Sequence, residues 1–143
     1  KGARRRFEYV GCKNGVTIVD DYAHHPSEIK ATLTAAASMG YKKTICIFQP
    51  HTYSRTHLLF NDFTKALTGC DTCLLVDIYA AREKNTMGIS SNDLALKMGN
   101  AVYCGGFENA VEYLRQHAED GTLVITMGAG DIYKVGQMFL KSK

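Results

Sequence analysis

The 143-residue chain contains no tryptophan and only two prolines, Pro26 and Pro50. So little proline excludes a polyproline or low-complexity chain, and its 13 glycines show no collagen-like period. No apolar run approaches the roughly 18 residues of a membrane helix, so no membrane partner is expected. No apolar leader with a small-residue cleavage site marks a secretory signal. No repeat or linker interrupts the sequence after residue 6. The phosphate-cradling pattern G-x-x-x-x-G-K-[ST] is absent, so a triphosphate cannot be held here in the P-loop manner. If ATP is involved, another domain must hold most of it. The chain starts at Lys1 rather than Met, and is expected to be a piece cut between domains.

What is present is ordinary for one globular domain, with 45% hydrophobic and 22% charged residues. A chain of this size buries a core without disulfide staples. The net charge is +3. Lys1, Arg4, Arg5 and Arg6 supply four of the 17 basic residues, and without them acids outnumber bases. One local cluster suits a phosphate better than the extended basic face of a nucleic-acid binder, so no nucleic acid is expected. The five cysteines are Cys12, Cys46, Cys70, Cys73 and Cys104. Cys70 and Cys73 have C-x-x-C spacing, but no second ligand pair accompanies them. Reduced thiols of a cytoplasmic protein fit better than a metal site.

Two β-rich runs, Phe7–Cys12 and Val16–Asp20, flank Asn14-Gly15, a hairpin signal. Pro26 opens a helix towards Met39 with Ile29, Leu33, Ala36 and Ala37 on one face. Thr44–Phe48, Cys73–Ile78 and Thr122–Met127 read as strands buried on both faces. Ala101–Cys104 reads as a brief strand. Helical stripes run over Leu59–Leu67, Phe107–Ala118 and Ile132–Phe139, and Ser90 with Asp93 forms a capping box before a further helix. The alternation predicts an α/β fold: a Rossmann-like three-layer sandwich with an approximately six-stranded, mostly parallel sheet, the hairpin adding one antiparallel strand. Ligands of such sheets bind beyond the carboxyl ends of the strands.

The chemistry-bearing residues fall there. Asp20-Asp21-Tyr22-Ala23-His24-His25-Pro26 follows the second strand, able to meet ribose hydroxyls, an amine or a metal, or to serve only as a polar turn. Gln49-Pro50-His51-Thr52-Tyr53-Ser54-Arg55-Thr56-His57 follows the third. Arg55 there is the natural clamp for a carboxylate or phosphate. Tyr79–Lys84 after the fourth strand reads as a charged loop, open to being mere solvated surface. Gly128-Ala129-Gly130-Asp131 after the last strand is either an anion-binding turn at a helix start or a tight turn with Asp131 as cap. No pair among His24, His25, His51 and His57 has zinc-enzyme spacing.

Three of those segments, Asp20–Pro26, Gln49–Thr56 and Gly128–Asp131 with Ile132, and Arg5-Arg6-Phe7-Glu8 before them, resemble in order the C-terminal domain of the Mur ligase family, over nearly the whole chain. The resemblance implies residues 1–6 as a linker remnant and 7–143 as the amino-acid-binding domain of a three-domain cytoplasmic enzyme of peptidoglycan synthesis. It implies that the N-terminal domain binds a UDP-sugar and the central domain carries the P-loop. ATP, with Mg2+, phosphorylates a muramate carboxylate, and an amino acid's amine displaces the phosphate. The His51–Thr56 segment favours the member that joins L-alanine to UDP-N-acetylmuramate over the recycling member that adds a tripeptide. By motif position, Tyr22, His24, His51 and Arg55 line the amino-acid pocket. Asp21 contacts the ATP ribose, and Arg6 faces the phosphates, or Arg5 if the register shifts by one. Gly128, Gly130 and Asp131 form a loop near the amino acid. Thr52 stands where some members carry a second arginine. No residue of this domain alone is expected to be catalytic, to bind a metal or to hold a cofactor. The competing readings are a stand-alone Rossmann-like nucleotide module, against which the missing P-loop counts, and a metal-binding protein using the clustered His and Cys.

Overall fold

The computed structural model describes residues 5–143. Lys1 and Arg4 of the basic cluster, and most of the expected linker, lie outside the described residues. Strands β1 (Glu8–Lys13) and β2 (Val16–Asp21) pair antiparallel. Asn14 and Gly15 join them with φ of 52° and 79°, the two left-handed positions of the tight turn that matches strand twist. A Cβ on Gly15 would sit 1.8 Å from Asp120 Oδ1, so only glycine fits.

There follow α1 (Pro26–Ala37), β3 (Lys43–Phe48), α2 (Tyr53–Leu58), α3 (Phe60–Ala66) and β4 (Thr72–Val76). The chain ends with α4 (Ser91–Lys97), β5 (Ala101–Gly105), α5 (Phe107–His117), β6 (Thr122–Met127) and α6 (Tyr133–Lys141). The six strands lie in the order β1-β2-β6-β3-β4-β5, and every pairing from β2 onward is parallel. This is the mostly parallel sheet with one antiparallel strand that the sequence predicts.

Both faces are covered. Ile29 and Leu33 of α1, Phe63 of α3 and Leu94 of α4 pack with Phe48 and Leu75 on one face. Val111 and Leu114 of α5 and Val135 and Phe139 of α6 pack with Ile18, Ile47 and Leu74 on the other. The central strands are therefore apolar throughout, since neither face meets water. The capping box of α4 forms as read, the Ser90 amide donating to Asp93 Oδ2 at 2.9 Å. A second one opens α1, where the His25 amide donates to Glu28 Oε1 at 3.2 Å and Pro26 occupies the first turn.

Two boundaries differ from the sequence reading. The third-strand loop contains a helix, α2, in which only Thr56 is buried. Leu58 is 79% exposed, so α2 has no apolar stripe to announce it. β4 stops at Val76 rather than Ile78, where its register with β5 shifts, and Tyr79 then bridges to His51 of the third-strand loop.

The topology opens the site. β6 leads to α6 on one face, while its neighbours β2 and β3 lead to helices on the other. The chain thus leaves adjacent strands in opposite directions, and a crevice forms over their carboxyl ends. No helix is long and apolar enough to cross a membrane.

Candidate functional site

The first wall of the crevice comes from the end of β2. Asp20 is buried, its Oδ2 2.6 Å from Arg5 Nε and its Oδ1 accepting from Thr126 Oγ1 at 2.7 Å. The other two nitrogens of Arg5 donate to the carbonyls of Gly130 and Gly128, at 3.1 and 3.0 Å. The guanidinium also lies over the rings of Tyr22 and Tyr133, at 5.2 and 5.0 Å. Arg5 is therefore wholly engaged in tying the N-terminal segment to two strand ends. Arg6 is exposed and lines a cleft of about 440 Å³ with Asp21, Tyr22, His24 and Thr32. Of the two arginines, Arg6 is the one available to a ligand. Asp21 is 3% exposed. It accepts from the Ala23 amide at 2.9 Å, the Phe7 amide at 3.0 Å and Thr32 Oγ1 at 3.3 Å. Its carboxylate shapes the turn, and an Oδ1 lone pair is left towards the cleft.

The ring of His24 meets those of Tyr22, His25 and His51 at centroid distances of 5.4, 4.7 and 6.0 Å. Its Nδ1 lies 3.1 Å from the Tyr22 carbonyl. A proton on Nδ1 satisfies that contact and leaves Nε2 to accept from a ligand. His51 comes from the end of β3, one strand beyond β6. Burial, then the positive charges of His24 and Arg55, push its pKa below the usual 6.5, with Glu83 opposing. His51 is thus a neutral acceptor at physiological pH. Arg55, in α2, gives its backbone N–H to Thr52 Oγ1 at 3.3 Å. Among the described residues its guanidinium has no ion-pair partner. Tyr22 and His51 thus each meet the His24 ring, and Arg55 stands near enough to act on His51 electrostatically.

The glycine loop does something the sequence left open. Gly128 and Gly130 turn their carbonyls to Arg5. A Cβ on Gly130 would come within 2.6 Å of Gln49 Oε1 and 2.8 Å of the Tyr79 ring, so glycine is needed for close packing. Asp131 accepts from Gln49 Nε2 at 2.9 Å. It does not cap α6, whose cap position is Ile132.

Three residues of this site have roles that the strand-end segments containing them did not announce. Gln49 is buried and links the β3 and β6 loops. Tyr79 forms a parallel bridge with His51 and stacks on its ring, centroids 5.4 Å apart at 20°. Glu83 accepts from the Ser54 amide at 3.0 Å and from Ser54 Oγ at 2.5 Å. The hydroxyl and then the amide of Ser54 hold its pKa down. The one available hint was that Tyr79–Lys84 also follows a strand end.

All five cysteines are free thiols, with Cys46, Cys70 and Cys73 buried. Among the described residues no group of His, Cys, Asp or Glu is arranged to hold a metal ion.

A sequence model of the family described as "Mur ligase, glutamate ligase domain" matches residues 5–130. UDP-N-acetylmuramate–L-alanine ligase of Acetivibrio thermocellus is 54% identical to this chain over 146 residues, covering 99% of the chain and 31% of that protein. The ligase of the same name from Lachnospira eligens is also 54% identical, covering 99% of the chain and 32% of that protein. The crystal structure of UDP-N-acetylmuramate-alanine ligase MurC from Thermotoga maritima superposes with a TM-score of 0.74 at 26% identity, over 96% of this chain and 29% of its own. A murein peptide ligase of Psychrobacter arcticus shares the fold, with a TM-score of 0.77 at 20% identity over 96% of this chain and 29% of its own. The chain spans about a third of the length of the curated relatives it matches.

Proposed function

The chain belongs to the family "Mur ligase, glutamate ligase domain", and from that membership we propose that it is the amino-acid-binding domain of an ATP-dependent ligase joining L-alanine to UDP-N-acetylmuramate. The observation that carries the reading is the strand-end cluster itself. Tyr22 and His51 each meet the His24 ring, and Arg55 near His51 has no ion-pair partner among the described residues. An amino acid presents one carboxylate and one amine, and this cluster offers a planar fork for the first and imidazole nitrogens for the second.

In this reading residues 7–143 are the domain, residues 1–6 belong to the link preceding it, and the protein works in peptidoglycan synthesis in the cytoplasm. The remainder of the protein supplies the P-loop, the UDP-sugar site and Mg2+. ATP provides the phosphoryl group that activates the muramate carboxylate. The domain's residues then bind and orient. Arg55 grips the amino-acid carboxylate bidentately. The acceptor nitrogens of His24 and His51 hold the amine in its attacking orientation. Fixing the amine against the acyl phosphate turns a bimolecular encounter into a positioned one. Arg6 faces the nucleotide phosphates across the cleft, Asp21 meets the ribose through its remaining lone pair, and the Gly128–Asp131 loop closes the amino-acid side. The 54% identity to alanine-adding relatives supports L-alanine as the amino acid.

The test is steady-state kinetics on the full-length ligase carrying this domain. Arg55→Ala is expected to raise KM for L-alanine by roughly a hundredfold or more, the scale of a lost buried charge-assisted clamp, with KM for ATP little changed. A rise confined to ATP would refute the assignment.

A further inference from the structure

We infer that Tyr79 and Glu83, on the loop after β4, are the positioning residues of the amino-acid pocket, a statement that rests on the function proposed above. Thr52 stands at the N-terminal cap of α2. Its φ is +65°, in the left-handed region that a β-branched residue avoids. Such a conformation persists only where its surroundings over-determine it. Here the surroundings are the Tyr79 loop. The Thr52 amide donates to the Tyr79 carbonyl at 2.8 Å, and the Tyr79 amide donates to the Pro50 carbonyl at 2.8 Å. These two bonds bracket His51 from both sides in sequence, while the Tyr79 ring stacks on the His51 ring. The same ring abuts Gly130, where a Cβ would lie 2.8 Å from it. One tyrosine thus sets the orientation of His51 and its distance from the glycine loop.

Glu83 performs the equivalent task for Arg55. α2 is only six residues long, with one buried residue, so packing does little to fix it. Its first turn is held instead by two acceptors from outside the helix. Thr52 Oγ1 takes the Arg55 amide, and the Glu83 carboxylate takes both the amide and the hydroxyl of Ser54. A carboxylate at the positive end of a helix is favourably placed. Arg55 lies one residue beyond Ser54, so the Glu83 anchor sets where the guanidinium fork can reach. Neither Tyr79 nor Glu83 needs to touch the amino acid for this.

The experiment uses the full-length ligase, with Tyr79→Ala, Tyr79→Phe, Glu83→Ala, Glu83→Gln and Ser54→Ala beside Arg55→Ala. Tyr79→Ala and Glu83→Ala are expected to raise KM for L-alanine by up to about a hundredfold, the cost of an ångström-scale misplacement, while KM for ATP stays constant. Tyr79→Phe keeps the ring and is expected to behave as the parent. Adding Ser54→Ala to Glu83→Ala is expected to change nothing further, since both act through one contact. A second readout is the NMR titration of His51. The Glu83 charge raises its pKa, so Glu83→Gln is expected to move that titration to lower pH. Lowered stability with an unchanged KM for L-alanine in Glu83→Ala, Glu83→Gln and Tyr79→Ala, while Arg55→Ala raises it, would overturn this inference alone. An unchanged KM in Arg55→Ala as well would overturn the underlying reading with it.

Discussion

His51 shows how a single residue ties function to stability. Burial and two positive neighbours hold its pKa below 6.5 in the folded chain, whereas in the unfolded chain it titrates normally. As the pH falls, the unfolded state therefore binds the proton first, and folding stability drops. The contribution is whole above 6.5 and is lost as the pH falls through the lowered value. Thermal unfolding is expected to show Tm declining from neutral to mildly acid pH, and His51→Gln is expected to flatten that decline. Asp21 joins two roles in the same way. Asp21→Ala leaves the amides of Phe7 and Ala23 without their acceptor, costing about 1–3 kcal/mol for each that remains buried. Urea unfolding is expected to record that loss, and kinetics of the full-length ligase a higher KM for ATP. Tyr22, His24, His51 and Arg55 were legible in the sequence because each sits in a contiguous polar motif after an apolar run. The contacts of Tyr79 and Glu83, and the Gln49 bond to Asp131, were not, because they join loops far apart in the chain.

Among the elements, α5 and α6 could be read from their stripes and α4 from its Ser90–Asp93 box. Those signals are local, and burial of one face enforces them. α2 could not be read, because what holds it is the Glu83 carboxylate and a strained turn rather than an apolar face. The strain is itself testable. Glycine adopts the φ of Thr52 without cost, whereas a non-glycine residue there pays about 1–3 kcal/mol. Losing the Thr52 cap on the Arg55 amide takes back a few tenths. Thr52→Gly is therefore expected to stabilise the chain by about 1 kcal/mol, seen as a higher urea midpoint at unchanged slope. Because Thr52 Oγ1 caps the Arg55 amide, the same variant of the full-length ligase is expected to bind L-alanine more weakly.

At the scale of the whole molecule, the site occupies one end of a sheet, and the chain lacks the phosphate loop that the proposed function requires. The 143-residue chain alone is expected to release no phosphate from ATP in the presence of L-alanine. Turnover from the purified chain, in a phosphate-release assay, would overturn that expectation. The parallel sheet was legible from alternating strands and helices, but the strand order was not, since periodicity says nothing about which strands pair. That order governs how the fold is reached. Thr17 of β2 pairs with Leu123 of β6, and Lys43 of β3 with Thr122. Until Thr122–Met127 has been made, β2 and β3 lack the strand that pairs with both. Pairings so distant along the chain form slowly, and until they do, the apolar edges of both strands stay open to other chains. A middle strand of the sheet is thus the last of the six to be synthesised, and the crevice above it exists only once that strand slides in.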